Sequence, residues 1–348
     1  MKNRYKEIGT FDGGTFGGAV GGNGYIGSKP LRMSDAAVAN GGAFLASELE
    51  KLDPKISEPL TSVTYPRDIR VKVGGGWVDT VSKMNVDYGI NGGSGDGAIT
   101  APGANTGNVV QAQFGKDAWK THIYTSTLRI KFVDMQRGQI VGRSLESLLT
   151  DAIRLNYDKH QEMNVYTGFQ TYGTTGILNN PDVVASGVKA NAAGSTKWEN
   201  KTPDEILADI NAAINAGWEA AEHDLSAIPN HILIPYAQYT LIQTRKVSEL
   251  ADKTIMTFLL ENNVATLNGG DLVIGATNFC KGAGAGGTDR MVAYVNHDRF
   301  IAVEELVPLA RIMTQPNMDK LSYDSAYMAN LSEVEVFYTQ PITYWDGI

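Results

Sequence analysis

Cysteine is nearly absent: Cys280 is alone in 348 residues, so no internal disulfide and no Cys-based metal cluster can form. A reducing, cytoplasmic origin follows as the economical expectation. Long apolar runs are missing too. The start, MKNRYKEIGTFDGGTFGG, has basic residues but no apolar core of a signal peptide, and no uninterrupted apolar stretch approaches the ~18 residues of a membrane span. The expectation is a protein neither secreted by that route nor membrane-spanning. Without a signal peptide, the glycosylation patterns at Asn200-Lys201-Thr202 and Asn330-Leu331-Ser332 read as chance matches.

The usual marks of chemistry are equally sparse. His122, His160, His223, His231 and His297 are widely separated, with no H-E-x-x-H and no i, i+4 pair, so none is assigned to a metal. His231 sits in an apolar stretch and reads as a satisfied core or interface imidazole. No serine has G-x-S-x-G surroundings. Glu304, Glu305 and the other carboxylates are scattered, which makes solvated faces their default. No catalytic, cofactor-binding or metal-binding residue is assigned, no cofactor is expected, and the chain does not read as an enzyme. A basic excess is also lacking: 30 Lys and Arg against 38 Asp and Glu leave a net charge of −8. Such a surface makes a poor dedicated nucleic-acid binder, because that affinity rests on Lys and Arg releasing counterions.

Glycine, by contrast, is plentiful, at 38 residues. That is about 11% against a usual ~7%, clustered and not periodic, which points to turns and extended loops and excludes collagen. Residues 1–33 form a Gly-rich arm with too few large apolar residues to fold alone. The arm cannot offset the ~1–2 kcal/mol per residue of backbone entropy lost on ordering, so contact between subunits must order it. A short helix is expected over 36–52, stopped by Pro54. From Thr61 to Thr127 the chain reads as β-structure with long loops: Ile69, Val71 and Val73 alternate with Arg70 and Lys72, Gly74 to Gly76 interrupt, and Trp77 to Val81 resume. Asn91 to Gly107 is a loop rich in Gly, Ala and Asn.

At Ser144 the period changes. Leu145, Leu148, Leu149, Ala152 and Leu155 recur at three- and four-residue steps, predicting a helix over 145–167 that spans roughly 35 Å. Loop-rich sequence follows over 172–198. Thr202-Pro203-Asp204-Glu205 then predicts a capped helix start: a hydroxyl cap, proline at the first position and a glutamate that bonds back. Ile206, Leu207, Ile210, Ala213, Ile214, Gly217, Trp218 and Ala221 mark its apolar face. Strands are expected at 231–234 and 271–276, helices at 236–244 and 254–262, and a hairpin from 291–295 and 300–303 joined through Asn296, His297 and Asp298. The closing run, with Val334, Val336 and Tyr338 alternating against Glu333, Glu335, Phe337 and Thr339, predicts a final strand over 333–340 that Pro341 ends. Strands and helices mix without regular alternation, so the fold class is α+β.

Gly282-Ala283-Gly284-Ala285-Gly286-Gly287 satisfies G-x-G-x-x-G. A dinucleotide fingerprint, however, requires the third glycine to open a helix, and here TDRMVAYVN, a strand, follows. The motif therefore reads as a flexible hairpin or surface loop.

The order of parts, together with GILNNP (176–181) after the long helix and the terminal PITYWDGI, resembles the major capsid proteins of tailed bacteriophages of the Hong Kong ninety-seven type, a fold shared with encapsulins. The resemblance implies an N-terminal arm with a short helix (1–60), an extended β E-loop region (61–122), a P-domain (123–225) with spine helix 145–167 and helix 203–222, an A-domain (226–310, mainly), and final strands (311–348) returning to the P-domain. It implies a structural coat protein assembling as hexamers and pentamers into an icosahedral phage head in the host cytoplasm. Scaffold, portal and decoration proteins would be its partners, DNA contacts would be weak and non-specific, and no membrane would be involved. The family's extra N-terminal scaffolding region is missing, and supply by another gene or outright absence is expected. Lys72 and Lys83 lie in the E-loop region, but no partner positions support covalent crosslinks. Two other classes stay open at this point: an encapsulin-like compartment with a protein cargo, and a cytoplasmic nucleotide-binding enzyme, which would need a clustered polar pocket.

Overall fold

The computed structural model describes residues 63–91, 109–141, 145–248 and 253–348. The expected arm, the helix at 36–52 and, beyond Asn91, the loop at 91–107 lie outside these residues. The described chain is α+β, as the sequence predicts, and its strands form two sheets.

The larger sheet runs in the order β1 (Val71–Val73), β8 (Ile301–Asn317), β9 (Ser322–Ser332), β3 (Val109–Lys131) and β2 (Thr80–Asn91), with β10 (Glu335–Val336) added on β8. Its long members are antiparallel, and β1 joins β8 in parallel. β3 first pairs with β2, from Val109 to Lys120, and then with β9, from Thr121 to Lys131. One continuous strand therefore belongs to a free-standing ribbon at one end and to the body at the other.

The smaller sheet has the order β4 (Ala185–Gly187), β11 (Thr343–Asp346), β7 (Arg290–Tyr294), β5 (His231–Ile234) and β6 (Val273–Ala276). β5 and β7 are buried along their whole length, which fits the apolar runs at 232–234 and 291–294. The helix Pro203–Ala220 covers this sheet. Its start is as the sequence predicts: Thr202 Oγ1 accepts from the Glu205 amide at 3.3 Å while the Glu205 carboxylate accepts from the Thr202 amide at 2.8 Å. Ile206, Ile210, Ala213 and Ile214 are fully buried and meet Ile232, Ile234, Ile255, Leu259, Met291 and Ala293 in one core. Beside it, Lys201 and Asp209 form a buried ion pair of 2.6 Å, and the Trp198 indole donates to the same carboxylate at 3.0 Å. Asp209 is nonetheless raised, because burial outweighs both partners.

The long helix spans Leu145–Tyr166, but its buried stripe is not the leucine row. Ile153, Tyr157, Gln161, Asn164 and Val165 are buried, whereas Leu145, Leu148, Leu149 and Leu155 are half-buried and Ala152 is exposed. The first turns rest on the sheet through Leu145 and Leu149 against Leu128, Ile130 and Tyr327. The last turns are held by polar contacts, among them Asn164 donating to the Ser332 carbonyl at 2.8 Å. Apolar periodicity sees the first kind of contact and misses the second.

Two further expectations are corrected. Residues 291–295 and 300–303 do not form a hairpin: β7 lies in the smaller sheet and β8 in the larger, and the turn at 296–300 carries the chain between them. The predicted strand at 333–340 shrinks to Glu335–Val336, while the long pairing strand is β9, just before it, and the terminal strand is β11, beyond Pro341. Burial does not follow the sequence alternation at 334–338: Val334 and Glu335 are both buried, Val336 and Phe337 are half-buried and Tyr338 is exposed.

GILNNP makes a tight return after the long helix. The Ile177 and Leu178 amides donate to the Val165 and Tyr166 carbonyls at 2.8 and 3.0 Å, and both side chains are buried. A Cβ at Gly176 would overlap the Tyr166 carbonyl and the Thr167 nitrogen, both rigid backbone. Gly176→Ala should therefore cost at least about 1–3 kcal/mol through overpacking, read as a lowered midpoint in denaturant unfolding; an unchanged midpoint would show that the return can open.

Candidate functional site

The two segments that carry the family resemblance meet in space. Tyr344 of the terminal PITYWDGI donates its hydroxyl to the Ile177 carbonyl at 2.6 Å and accepts from the Asn180 amide at 3.0 Å. Arg290 bridges the same two segments, donating to the Leu178 carbonyl at 2.7 Å and forking onto Asp346 at 2.7 and 2.9 Å. Asp346 also accepts from Ala285 of the glycine loop at 2.9 Å. A short 3-10 turn at Ala285–Gly287 and then β7 follow, so no helix N-terminus is presented to a phosphate.

A second polar node lies at Asp68, which is wholly buried. Its carboxylate accepts from Arg67 at 2.5 and 2.8 Å and from the Tyr166 hydroxyl, and it lies 3.0 Å from His231 Nε2. Burial alone would raise this acid, but the hydrogen bonds from His231, Arg67 and Tyr166 outweigh it and hold the carboxyl below its usual range. His231 is thus the satisfied core imidazole that its apolar strand predicts.

The expectation of solvated carboxylates is corrected here. Asp68, Asp209, Glu162 and Glu335 are buried, and Glu305 accepts from the Tyr157 hydroxyl at 2.5 Å. Asp68, Glu162 and Glu305 are drawn in by partners far away in sequence, which spacing along the chain does not reveal. His122 and His160, unremarkable in sequence, pack with Phe169 and Tyr124 in an aromatic cluster, with ring centroids 4.4–5.6 Å apart. Burial, and then each other's proximity, pushes His122 down to about 4. Among the described residues no group of three His, Cys, Asp or Glu side chains could hold a metal ion. Cys280 is fully buried, and burial pushes its thiol up, the setting of an inert structural cysteine.

What the body leaves uncovered is the ribbon formed by β2 and β3. Its register places Val86 opposite Phe114 and Tyr88 opposite Ala112, with Met84 and Val110 on the same face. Met84, Tyr88, Val110 and Phe114 are 64–76% exposed. The other face carries Lys83, Asn85, Asp87, Gln111, Gln113 and Asp117. The ribbon is amphipathic, yet among the described residues nothing packs on its apolar face. The signal was present in sequence as two alternations, Met84-Val86-Tyr88 and Val110-Ala112-Phe114, on either side of the Gly-rich loop.

The ribbon is clamped at its root by residues 333–337. Glu333 and Lys120 exchange two bonds, the Lys120 amide donating to Glu333 Oε1 at 2.8 Å and the Glu333 amide donating to the Lys120 carbonyl at 3.0 Å. Phe337 meets Trp119 edge-on at 5.1 Å and lies under the Lys83 ammonium at 3.5 Å.

A structural subunit with an amphipathic β-ribbon, a long helix and two sheets is the architecture of a capsid protein, and comparisons with known proteins agree. The profile of the major capsid protein family matches residues 95–348, and the chain belongs to that family. Among solved structures, the capsid of Myoviridae Phage XM1 superposes with a TM-score of 0.71 at 18% identity, covering 87% of this chain and 98% of its own. The capsid of an empty GTA particle gives 0.57 at 14% identity, with 90% and 98% covered. Mycobacterium phage Ogopogo gives 0.55 at 10% identity, with 86% and 98% covered. No curated protein sequence matches significantly. The fold is therefore the tailed-phage capsid fold that the sequence resembles, and the protein is a structural coat protein of the virion.

Proposed function

We propose that this coat protein closes into an icosahedral head shell of hexamers and pentamers around phage DNA, and that the β2–β3 ribbon is the extended E-loop which laps onto a neighbouring copy. The observation that carries the reading is the ribbon's uncovered apolar face. An isolated two-stranded ribbon is at best marginally stable in water, and a contiguous apolar patch on it marks an interaction site. A neighbouring subunit supplies the missing cover, and heterologous contacts of this kind curve to closure in a shell. On this reading the helix Leu145–Tyr166 is the spine of the P-domain within 123–225, the segment 226–310 forms most of the A-domain, 311–348 returns to the P-domain, and residues 1–33 act as an intersubunit arm. The protein has no catalytic role. It assembles in the host cytoplasm with scaffold, portal or decoration proteins, and its net charge of −8 keeps the wall from adhering to packed DNA. No helix among the described residues is long and apolar enough to cross a membrane. Membership of the major capsid protein family favours a phage coat over a compartment for protein cargo.

The test is the double variant Tyr88→Asp, Phe114→Asp. Both sites are exposed in the subunit, so the fold and its melting should be unchanged. Burying the new charges between copies costs about 2 kcal/mol or more per contact, roughly a 30-fold weakening, and particles should vanish from sedimentation profiles. Normal particles from this variant would remove the ribbon from the interface.

A further inference from the structure

The clamp at the ribbon's root contains an acid that the assembly reading does not use. Glu335 is buried at 1% exposure and its Oε1 has no hydrogen-bond partner. It sits on β10, the two-residue strand between Glu333, which bonds Lys120 at the ribbon's root, and Phe337, on which Lys83 and Trp119 rest. The groups around it come from every neighbouring element: Lys72 of β1, Lys83 of β2, Glu304 of β8 and Ser332 of β9, with Asp298 and Arg299 of the turn before β8 facing Lys83. Lys72 lies 5.5 Å from the Phe337 ring.

We propose that Glu335 is a proton-operated latch that sets how firmly the β2–β3 ribbon is seated on the body. In its neutral form the carboxyl tolerates a site with an unpartnered oxygen, and the Lys83 ammonium stays over Phe337. Once ionised, it is a desolvated anion beside Glu304, which repels it, and within reach of Lys72 and Lys83, which attract it. The side chain that now holds the ribbon's root to Phe337 is drawn toward the carboxylate, and the β10 pairing with β8 carries a buried charge. The proton is exchanged with solvent and no covalent step is involved. Burial, and then the Glu304 charge, places the titration at about 7, so the neutral fraction falls from about nine-tenths at pH 6 to about one-tenth at pH 8. The inference deepens the assembly reading, because the ribbon is the element offered to the neighbour.

Hydrogen exchange of the full-length chain, kept dilute and unassembled, tests it at the level of the subunit, so failure of particle formation cannot be confused with failure of the latch. After correction for intrinsic rates, amides in the root segments 80–84 and 117–121 should lose about tenfold in protection between pH 6 and pH 8. Glu335→Gln should abolish that difference, as should Lys83→Met, which keeps the acid but removes the charge it draws; the second variant carries the test alone if the first does not fold. A pH response that persists in these variants, or root protection that is the same at both pH values in the parent, overturns the proposal.

Discussion

Asp68→Ala is expected to cost about 3 kcal/mol or more of stability, at about 1–3 kcal/mol for each buried donor left without its partner. The size follows from what the carboxylate holds. It is wholly buried and joins Arg67, Tyr166 and His231, which come from three separate elements. Removing it leaves a guanidinium, an imidazole and a phenol facing a hole. Asp68→Asn, which keeps the volume but not the charge, should lose less. The pH dependence has a definite sign. Because the folded carboxyl is held below its ordinary range, its contribution is complete above about pH 4 and is lost as pH falls below that. Urea unfolding at pH 7 and pH 3 is the check: the gap between parent and variant should be large at pH 7 and should narrow at pH 3. A gap of equal size at both would assign the effect to packing alone.

The second large effect has the opposite sign. Glu335→Gln should stabilise the subunit at pH 8 by about 3 kcal/mol, because the folded carboxyl is raised from its ordinary 4.5 to about 7 and each unit is worth about 1.4 kcal/mol. Below about pH 4.5 the parent is protonated in both folded and unfolded states, and the two proteins should be equally stable. Between 4.5 and 7 the unfolded chain releases its proton while the folded chain retains it, so the parent loses stability steadily as pH rises. Unfolding midpoints across pH 4 to 8 would contradict this if the two curves ran parallel.

These two acids show where the sequence is legible and where it is not. Local signals were readable because they are properties of consecutive residues. Thr202 to Glu205 announces a capping box, HILI announces the buried strand β5, and the residues after Gly287 announce a strand and not a phosphate-binding helix. The overall order of parts was readable in the same way, and with it the family. Unreadable were contacts whose partners lie more than a hundred residues apart, such as Asp68 with His231 or Tyr157 with Glu305. A carboxylate in isolation looks solvated. The final strand differs for a related reason: the polar and apolar alternation at 334–338 is matched neither by alternating burial nor by ladder pairing beyond Glu335–Val336, and partners elsewhere in the chain decide both. The ribbon lay in between. Its two alternations were visible, but assigning them to one exposed face needs the register that pairs Val86 with Phe114.

The measurement that bears most directly on the central claim is electron microscopy of the purified full-length chain, expressed with its phage partners and imaged at neutral pH. A shell-forming coat protein predicts uniform closed particles built of six- and five-fold clusters. A strictly monomeric species under those conditions, with the subunit folded by its far-UV spectrum, would contradict the account.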